Sequence, residues 1–162
     1  TTCLNGHPFD RDLAAASGRA VRVENDANCL ALSEARGGAA DGADPVFAVI
    51  IGTGTGGAVY ANGALVRGAH AIAGEWGHNP VPWRVADGRR RRCYCGAEDC
   101  VETWLSGPGL VRTYRDLGGA DAAGVEDIVA AAAAGATIAA AALEGHGRFR
   151  TLLHDIAKFS WI

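Results

Sequence analysis

Three cysteines within eight positions constrain this chain more than any other feature. They are Cys93, Cys95 and Cys100, and His78 precedes them. Three thiolates and one imidazole complete the tetrahedral shell of a structural zinc ion and leave no open position for water. The total of five cysteines is odd, which argues against a disulfide framework and leaves free thiols as the alternative. We therefore predict a zinc site formed by these four residues, which would stabilise a loop with little regular structure.

A continuous apolar run at Val46–Ile51 is typical of a buried strand. A turn rich in glycine and threonine follows at 52–57, and a second strand-like run follows at Ala58–Tyr60. The pair Asn62-Gly63 is a strong signal for a tight hairpin turn leading into Ala64–Val66. The sequence therefore predicts three successive antiparallel strands.

The glycine-rich turn matches the pattern G-x-G-x-x-G at Gly52, Gly54 and Gly57. A dinucleotide site of this pattern needs a helix directly after the glycines, and here a strand-like run follows, so that interpretation fails. Glycines still let a phosphate approach the backbone N–H groups, and threonine hydroxyls add donors. A tight hairpin with no ligand is the alternative. The candidate phosphate-binding residues are Gly52, Thr53, Gly54, Thr55, Gly56 and Gly57.

Asp26 lies between a predicted short strand at Val21–Glu24 and a predicted helix over Cys29–Ala35. Asn25 and Asp26 are residue types that cap the start of a helix, and glycines at 37–38 would end it. The junction between a strand and the next helix is a common place for functional side chains in α/β proteins. Asp26 is therefore a candidate functional residue.

Chain-breaking residues at 42–45 predict a boundary between two lobes, residues 1–42 and residues 46–162. In the second lobe the arginine run Arg89–Arg92 is predicted to be a solvated loop. Helices are predicted after it, by pattern and by propensity, over Val101–Leu105, Leu110–Leu117 and the alanine-rich stretch Ile128–Leu143.

Composition narrows the class of protein. Of the 162 residues, 49% are hydrophobic and 20% are charged, as in an ordinary globular protein. The net charge of −3 gives no electrostatic reason to expect nucleic acid or a membrane as partner. No apolar run approaches the ~18 residues that a membrane span needs, and we expect a cytoplasmic location. The chain contains no Met, which predicts an internal segment of a longer protein.

Four motifs occur in a characteristic order along the chain. They are Glu24-Asn25-Asp26-Ala27-Asn28, the turn at 52–57, Gly74-Glu75-Trp76-Gly77-His78, and the cysteine loop from Cys93 to Glu102. Together they resemble the ROK family, the bacterial group of repressors, open reading frames and sugar kinases, over roughly residues 5–118. The residues around His78 and the run Cys93-Tyr94-Cys95-Gly96 are most similar to its fructokinase or manno(fructo)kinase branch.

The resemblance implies an α/β fold of the actin-like ATPase (ribonuclease H-like) type, with a sugar in the cleft between two lobes. It implies ATP-dependent phosphorylation of a hexose, with fructose as the expected substrate, at the primary hydroxyl. Asp26 would be the general base, and Mg²⁺ would neutralise charge on the phosphates. The turn at 52–57 would hold the transferred phosphate. The residues expected to bind sugar hydroxyls are Asn25, Glu75, His78 and Glu102.

His78 receives two roles from this resemblance. With one ring nitrogen on zinc, the other N–H would be fixed in direction and could donate to a sugar oxygen. The zinc ion would then orient the sugar site without entering the chemistry.

The resemblance leaves several alternatives open. The substrate could be that of a glucokinase, a mannokinase or an N-acetylglucosamine kinase. The chain could instead be the sugar-sensing lobe of a transcriptional repressor, whose DNA-binding helix-turn-helix would lie upstream, or a zinc-stabilised binding module without catalysis. Asp26 and the phosphate turn favour a kinase, because a sensor needs neither. The complete protein is expected to be a homodimer that binds hexose and ATP.

The chain also departs from the family pattern. Asp99 stands where the family usually has glycine before the third cysteine, and an aspartate tolerates a left-handed backbone there at modest cost. An amino-terminal phosphate loop of the Asp-x-Gly-Gly-Thr type and the carboxy-terminal adenosine-binding glycines are not found in the sequence. The chain is therefore predicted to be an incomplete enzyme that is inactive alone.

Overall fold

The computed structural model describes residues 6–82, 88–120, 124–142 and 144. Helices and strands follow one another along the chain as α1 (Phe9–Ser17), α2 (Asp26–Ala35), β1 (Val46–Ile51), β2 (Thr55–Ala61), β3 (Ala64–Val66), α3 (Val101–Leu105), α4 (Gly107–Asp116) and α5 (Val125–Ala133). Residues 137–142 are also helical. Within these described segments, no helix has the length and apolar character needed to cross a bilayer.

The three strands form one antiparallel sheet in the order β1-β2-β3, which confirms the predicted strand arrangement. The first two strands pair from Val46 opposite Tyr60 to Ile51 opposite Thr55. Residues 55–57 of the predicted turn therefore belong to β2, and the turn itself is confined to residues 52–54.

The turn between β2 and β3 has the conformation that its sequence favours. The φ angles of Asn62 and Gly63 are +54° and +74°, as an Asn-Gly hairpin turn requires. The backbone N–H groups of both residues donate to the carboxylate of Asp44, each at 2.8 Å. The segment that enters β1 thereby fixes the far end of the sheet.

The two faces of the sheet are covered by different elements. On one face α2 packs through small side chains, which allow a close approach, and this cluster contains Ala27, Ala31, Ala48 and Ala58. On the other face the cluster contains Trp76, Val101 and Leu105, with Val49 packed against it. Neighbouring residues of β1 thus point to opposite faces, as the period of two in a strand requires. The sheet lies between α2, which begins at Asp26, and α3, which carries Glu102.

Helices α4 and α5 and the helical residues 137–142 share a third cluster, formed by Leu110, Ile128, Ala139 and Ala142. The alanine-rich segment is helical as predicted, but in two pieces, because Gly135 has a φ of +89° and interrupts it. Leu143, the predicted end of this segment, lies outside the described residues.

Ser106 starts α4 earlier than the sequence predicts. Its hydroxyl accepts a hydrogen bond from the N–H of Gly109 at 3.2 Å, and Pro108 lies in the first helical turn. Both features favour a helix start. The segment Gly107-Pro108-Gly109, which precedes the predicted helix, therefore forms its first turn.

The predicted strand at Val21–Glu24 is wrong. These residues have no regular secondary structure and belong to no strand of the described sheet, and Val23 is 55% exposed. The carboxylate of Glu24 accepts from the side chain of Asn28 at 3.0 Å and forms an ion pair with Arg67. Side-chain interactions, rather than a neighbouring strand, hold this segment beside α2.

Arg91 is an exception to the predicted solvated arginine run. Its side chain is 1% exposed, and its guanidinium lies 3.7 Å from the centre of the Trp104 ring. The guanidinium donates to the carbonyls of Thr103 (2.8 Å) and Gly109 (3.1 Å), the hydroxyl of Thr113 (3.0 Å) and the carboxylate of Asp116 (2.9 Å). A buried cation therefore connects the cysteine loop to α3 and α4. Arg90 beside it is exposed and forms an ion pair with Glu98.

Candidate functional site

The start of α2 presents two of the candidate residues. The Asn25 side chain caps the helix by accepting from the N–H groups of Ala27 (2.9 Å) and Asn28 (3.2 Å). Asp26 is the first helical residue, is exposed, and accepts from the N–H of Ala27 at 2.9 Å. The helix start therefore holds the Asp26 carboxylate at its surface, while the side-chain oxygen of Asn25 is used by the cap.

The segment Gly74–His78 lies against the sheet through its backbone. Gly74 has a φ of +91°, and a Cβ there would lie 2.7 Å from the Cα of Ala58. A Cβ on Gly77 would lie 1.9 Å from the carbonyl oxygen of Thr55. The indole N–H of Trp76 donates to the carbonyl of Gly56 at 2.7 Å. Both glycines are therefore required for this close approach, which leaves Glu75 and His78 directed away from the core.

The glycine-rich turn is connected to α3 and α4. The backbone N–H of Thr55 donates to the carboxylate of Glu102 at 3.0 Å, and the N–H of Gly107 donates to the carbonyl of Gly52 at 2.8 Å. Gly52 and Thr53 are exposed. The turn thus presents its backbone to solvent beside the start of α4.

Gly57 has a packing role that the sequence analysis did not assign. A Cβ at this position would lie 2.9 Å from each of three atoms, which belong to Ala48, Gly74 and Trp76. The residue is buried within β2. The requirement for glycine at this position therefore follows from the contact between the sheet and the Gly74–His78 segment.

The candidate acids and His78 interact electrostatically. Burial raises the pKa of Glu75, the nearby carboxylates of Asp26 and Glu102 raise it further, and His78 acts in the opposite direction. The carboxylate oxygens of Glu75 lie 3.5–3.6 Å from the position of a Cβ on Gly56. The structure therefore brings Asp26, Glu75, His78 and Glu102 into one cluster beside the glycine-rich turn.

The four candidate metal ligands also converge. The ligand atoms of His78, Cys93, Cys95 and Cys100 all lie within 4.8 Å of one another. The Nδ1 atom of His78 is 3.5 Å from the sulfur of Cys93, and the sulfurs of Cys95 and Cys100 are 3.6 Å apart. Bond lengths of about 2.0–2.3 Å to a tetrahedral zinc ion set ligand separations of about 3.5–3.8 Å. The donor set and its spacing therefore fit a structural zinc ion.

The thiols of this loop differ in acidity. Burial raises the pKa of Cys100 to about 12, and the neighbouring cysteines raise it as well. A hydrogen bond from the backbone of Ala97 lowers the pKa of Cys95. A thiolate at Cys100 therefore needs the charge of a cation beside it.

Asp99 has the left-handed backbone that its position demands, with a φ of +55°. Its carboxylate accepts from the N–H of Arg91, and its own N–H donates to the Arg91 carbonyl, each at 2.8 Å. These bonds offset the cost of a positive φ in a residue other than glycine. The cysteine loop thus accommodates the departure from the usual glycine.

Tyr94 is a residue of this site that the sequence analysis missed as a functional candidate. Its hydroxyl lies 2.9 Å from Nε2 of His78, and the two rings meet edge to face at 5.1 Å. The ring nitrogen expected to face a sugar therefore contacts a tyrosine in this structure. Tyr94 is 83% exposed. Its place between two metal ligands was the signal in the sequence that could have drawn attention to it.

A cavity of about 870 Å³ lies beside the glycine-rich turn. Gly52 and Thr53 line it on one side, Ser106 and Arg112 of the α4 region line another, and Gly124 and Glu126 complete it. The sequence did not predict this cavity, because its walls combine the turn after β1 with the α4 and α5 region, which lies far along the chain.

The comparisons with known proteins agree with this geometry. The family model described as "ROK family" matches residues 1–158. The chain therefore belongs to the ROK family. It is 44% identical over 120 residues to the N-acetylgalactosamine kinase AgaK of Shewanella sp. (strain ANA-3), covering 72% of this chain and 39% of that protein. It is 39% identical over 153 residues to the N-acetyl-D-glucosamine kinase of Vibrio vulnificus (strain YJ016), covering 91% and 49%.

A solved structure gives the same family. A ROK family glucokinase from Streptomyces griseus, in complex with glucose and AMPPNP, matches with a TM-score of 0.77 and 32% identity. The match covers 93% of this chain and 52% of that one. The predicted α/β fold of the actin-like ATPase type is confirmed.

The names of the curated relatives bear on the predicted substrate branch. Both curated relatives are named as kinases of N-acetylated hexosamines, and they do not support the predicted fructokinase branch. The chain spans less than half the length of each of these relatives.

Proposed function

We propose that this chain forms the sugar- and phosphate-binding part of an ATP-dependent kinase that phosphorylates a hexose at its primary hydroxyl. The proposed substrates are N-acetylhexosamines, N-acetylglucosamine or N-acetylgalactosamine, because the two curated relatives are named for them. The observation that carries the proposal is the position of the Glu75 and Glu102 carboxylates beside an exposed glycine turn, where the charges of Asp26 and His78 also act on Glu75. A cluster of acids suits a polyhydroxylated ligand, because carboxylates accept hydrogen bonds from hydroxyls.

Asp26 is the proposed general base. Its carboxylate is exposed at the start of α2 and is held there by the helix start. It would accept the proton of the sugar hydroxyl as that oxygen attacks the γ-phosphate of ATP. Phosphoryl transfer depends mainly on positioning and on neutralising charge, and a nearby carboxylate base is sufficient for the proton.

The turn at residues 52–54 is proposed to hold the transferred phosphate. Its backbone is exposed, and Glu102 fixes it through the N–H of Thr55. The cavity beside Gly52 and Thr53 is proposed to take part of the nucleotide, with Arg112 and Arg115 on its wall supplying positive charge. Bound Mg²⁺ would neutralise charge on the phosphates.

The residues His78, Cys93, Cys95 and Cys100 are proposed to hold a structural zinc ion. Four protein ligands would leave no position for water, so the ion would orient residues and take no part in the chemistry. Its place next to Glu75 and Glu102 would make the shape of the sugar site depend on the metal.

The proposed base is tested by Asp26→Asn in the gene product that carries this chain. Phosphate transfer to N-acetylglucosamine, followed by ADP release, should fall at least about 100-fold, while sugar binding measured by calorimetry should be retained. The control is Asp41→Asn, which changes an exposed acid outside the cluster. Turnover that survives Asp26→Asn would place the base elsewhere.

The proposed zinc site is tested by metal analysis. The chain should contain about one zinc per molecule, and Cys95→Ser should remove it. Cys29 is an exposed free cysteine outside the cluster, so Cys29→Ser should leave the zinc content unchanged. A folded chain without metal would disprove the site.

A sugar-responsive repressor would share this sugar site. The two functions differ in their need for Asp26, because a sensor binds sugar without transferring phosphate. Sugar binding without any phosphate transfer in the whole gene product would therefore favour the repressor. No described residue bears on its helix-turn-helix.

A further inference from the structure

Glu24 joins the start of α2 to the segment that follows β3. One of its carboxylate oxygens accepts from the backbone N–H of Asn25 and from the side chain of Asn28, each at 3.0 Å. The other oxygen forms an ion pair with Arg67. The hydrogen bond from Asn28 lowers the pKa of Glu24, and the N–H of Asn25 and the charge of Arg67 lower it as well. Glu24 is therefore ionised at neutral pH and bonds to both segments at once.

Arg67 is in turn bonded to the segment that carries Glu75. Its backbone carbonyl accepts from the N–H of Ala73 at 3.1 Å. The next residue, Gly68, has a φ of +67°, and a Cβ there would lie 3.1 Å from the Cβ of Ala73. The chain therefore forms a closed loop between Arg67 and Ala73, and Glu75 follows directly after this loop.

The ion pair thus connects the two segments that carry Asp26 and Glu75. Asp26 follows Glu24 by two residues, and Glu75 follows Ala73 by two residues. Burial raises the pKa of Glu75, and the charge of Asp26 raises it further, so the two carboxylates are close enough to repel each other. The attraction between Glu24 and Arg67 opposes this repulsion.

We propose that Glu24 and Arg67 are positioning residues, whose ion pair sets the distance between Asp26 and Glu75. The inference rests on the proposed function of the chain, in which Asp26 is the base and Glu75 binds the sugar. In this role neither Glu24 nor Arg67 contacts the sugar. Their contact aligns the sugar hydroxyl with the base, and a misplacement of about 1 Å can lower turnover by about 100-fold.

Arg36 offers a matched comparison at the other end of α2. It is also an exposed arginine, and its guanidinium donates to the carbonyl of Gly63 at 3.1 Å and lies 6.0 Å from the centre of the Tyr60 ring. It therefore connects α2 to the hairpin of β2 and β3, as Arg67 does. Because α2 has ten residues, Arg36 lies about 15 Å along the helix from Asp26.

The experiment measures kcat and KM for phosphorylation of N-acetylglucosamine by the gene product that carries this chain. Glu24→Gln keeps an acceptor for Asn25 and Asn28 but removes the charge that pairs with Arg67. We expect kcat to fall about tenfold in Glu24→Gln, in Arg67→Ala and in the double variant alike, because either substitution alone breaks the ion pair.

Three further results distinguish positioning from a structural role. The KM for ATP should be unchanged, and Tm should fall by less than about 2 °C, because a surface ion pair contributes little to stability. Arg67→Lys should regain most of the turnover, because it keeps the charge. Arg36→Ala should keep kcat within about twofold of the wild type.

Amide exchange at Ala73 tests the connection without any turnover. Glu24→Gln should speed this exchange by about threefold, because the loop that starts at Arg67 loses its contact with α2, and Arg36→Ala should not change it. Wild-type kcat in Arg67→Ala, losses that add in the double variant, or an equal loss in Arg36→Ala would overturn the inference. A wild-type protein that transfers no phosphate would contradict the proposed function instead, and unchanged exchange at Ala73 would then still disprove the connection.

Discussion

The carboxylate of Glu102 accepts a hydrogen bond from the backbone N–H of Thr55 at 3.0 Å. This contact joins the helix that follows the cysteine loop to the glycine-rich turn between β1 and β2. A Cβ on Gly54 would lie 2.7 Å from the same carboxylate oxygen. Glu102 therefore links the candidate sugar site to the candidate phosphate turn.

Replacing Glu102 by alanine should loosen this turn. The N–H of Thr55 loses its acceptor, and the free energy of unfolding should fall by about 1 kcal/mol, the net value of such a bond. Hydrogen exchange at the amide of Thr55 should speed up by about fivefold, which is the change in rate that corresponds to about 1 kcal/mol. The measurement is amide exchange combined with urea denaturation.

Glu98→Ala is the matched control for this substitution. Glu98 is exposed and forms a surface ion pair with Arg90, so its removal should cost less than about 0.5 kcal/mol. The exchange rate at Thr55 should not change in this variant. Unchanged exchange at Thr55 in Glu102→Ala would contradict the proposed link.

Replacing Arg91 by alanine should destabilise the protein strongly. The change leaves two backbone carbonyls, a hydroxyl and the Asp116 carboxylate without the guanidinium that bonds to them. A loss of at least about 2 kcal/mol is expected, because the substitution removes four hydrogen bonds of a buried guanidinium, one of them to a carboxylate. In a chain of this length that corresponds to a fall in Tm of at least about 4 °C.

The neighbouring Arg90 provides the comparison. Its side chain is 71% exposed in the ion pair with Glu98, so Arg90→Ala should change stability by less than about 0.5 kcal/mol. Similar effects of the two substitutions in a calorimetric scan would mean that Arg91 is solvated, as its sequence alone suggests.

Local patterns predicted much of this fold because they act over a few residues. The Asn62-Gly63 turn and the strands on either side of it depend on backbone preferences of neighbours in sequence, and all were predicted. The four zinc-ligand candidates were also predicted, because a metal site demands particular residue types at short spacing. Such features are visible without knowledge of tertiary packing.

Features that depend on distant segments were not predicted. Arg91 reads as one of four consecutive arginines, and its burial depends on carbonyls of α3 and α4 that packing brings to it. The contact between the Tyr94 hydroxyl and His78 depends on which ring nitrogen of His78 faces the cysteines. The strand expected at Val21–Glu24 has the right residue types but no neighbouring strand among the described residues.

Gly77→Ala should disrupt the contact between the Gly74–His78 segment and the sheet. The added methyl group would lie 1.9 Å from the carbonyl oxygen of Thr55, which is backbone and cannot rotate away. A loss of at least about 2 kcal/mol is expected. Because Gly77 lies next to His78, the zinc content should also fall. Thermal denaturation and metal analysis measure the two effects.

Gly52→Ala serves as the control, because a Cβ there would meet no atom within 4 Å. Its Tm should match that of the wild type to within about 2 °C, the equivalent of less than about 1 kcal/mol. A Gly77→Ala protein with wild-type stability and full zinc would mean that this segment lies further from β2.

Glu75→Gln should stabilise the protein at neutral pH. Burial and the charges of Asp26 and Glu102 raise the pKa of Glu75, while His78 opposes the shift. The folded chain thus binds the proton of the Glu75 carboxyl group more tightly than the unfolded chain does. Ionised Glu75 therefore costs stability above its raised pKa, and the cost disappears as the pH falls below the ordinary value of 4.5.

The glutamine variant should gain less than about 1 kcal/mol at pH 7, because the Glu75 side chain is only partly shielded from solvent. The gain should vanish near pH 4, where Glu75 of the wild type is protonated. Urea denaturation at the two pH values measures the difference. Glu98→Gln should show the opposite sign at pH 7, because Glu98 faces a cation, Arg90. A gain that is the same at both pH values would mean that repulsion among the clustered acids is not its source.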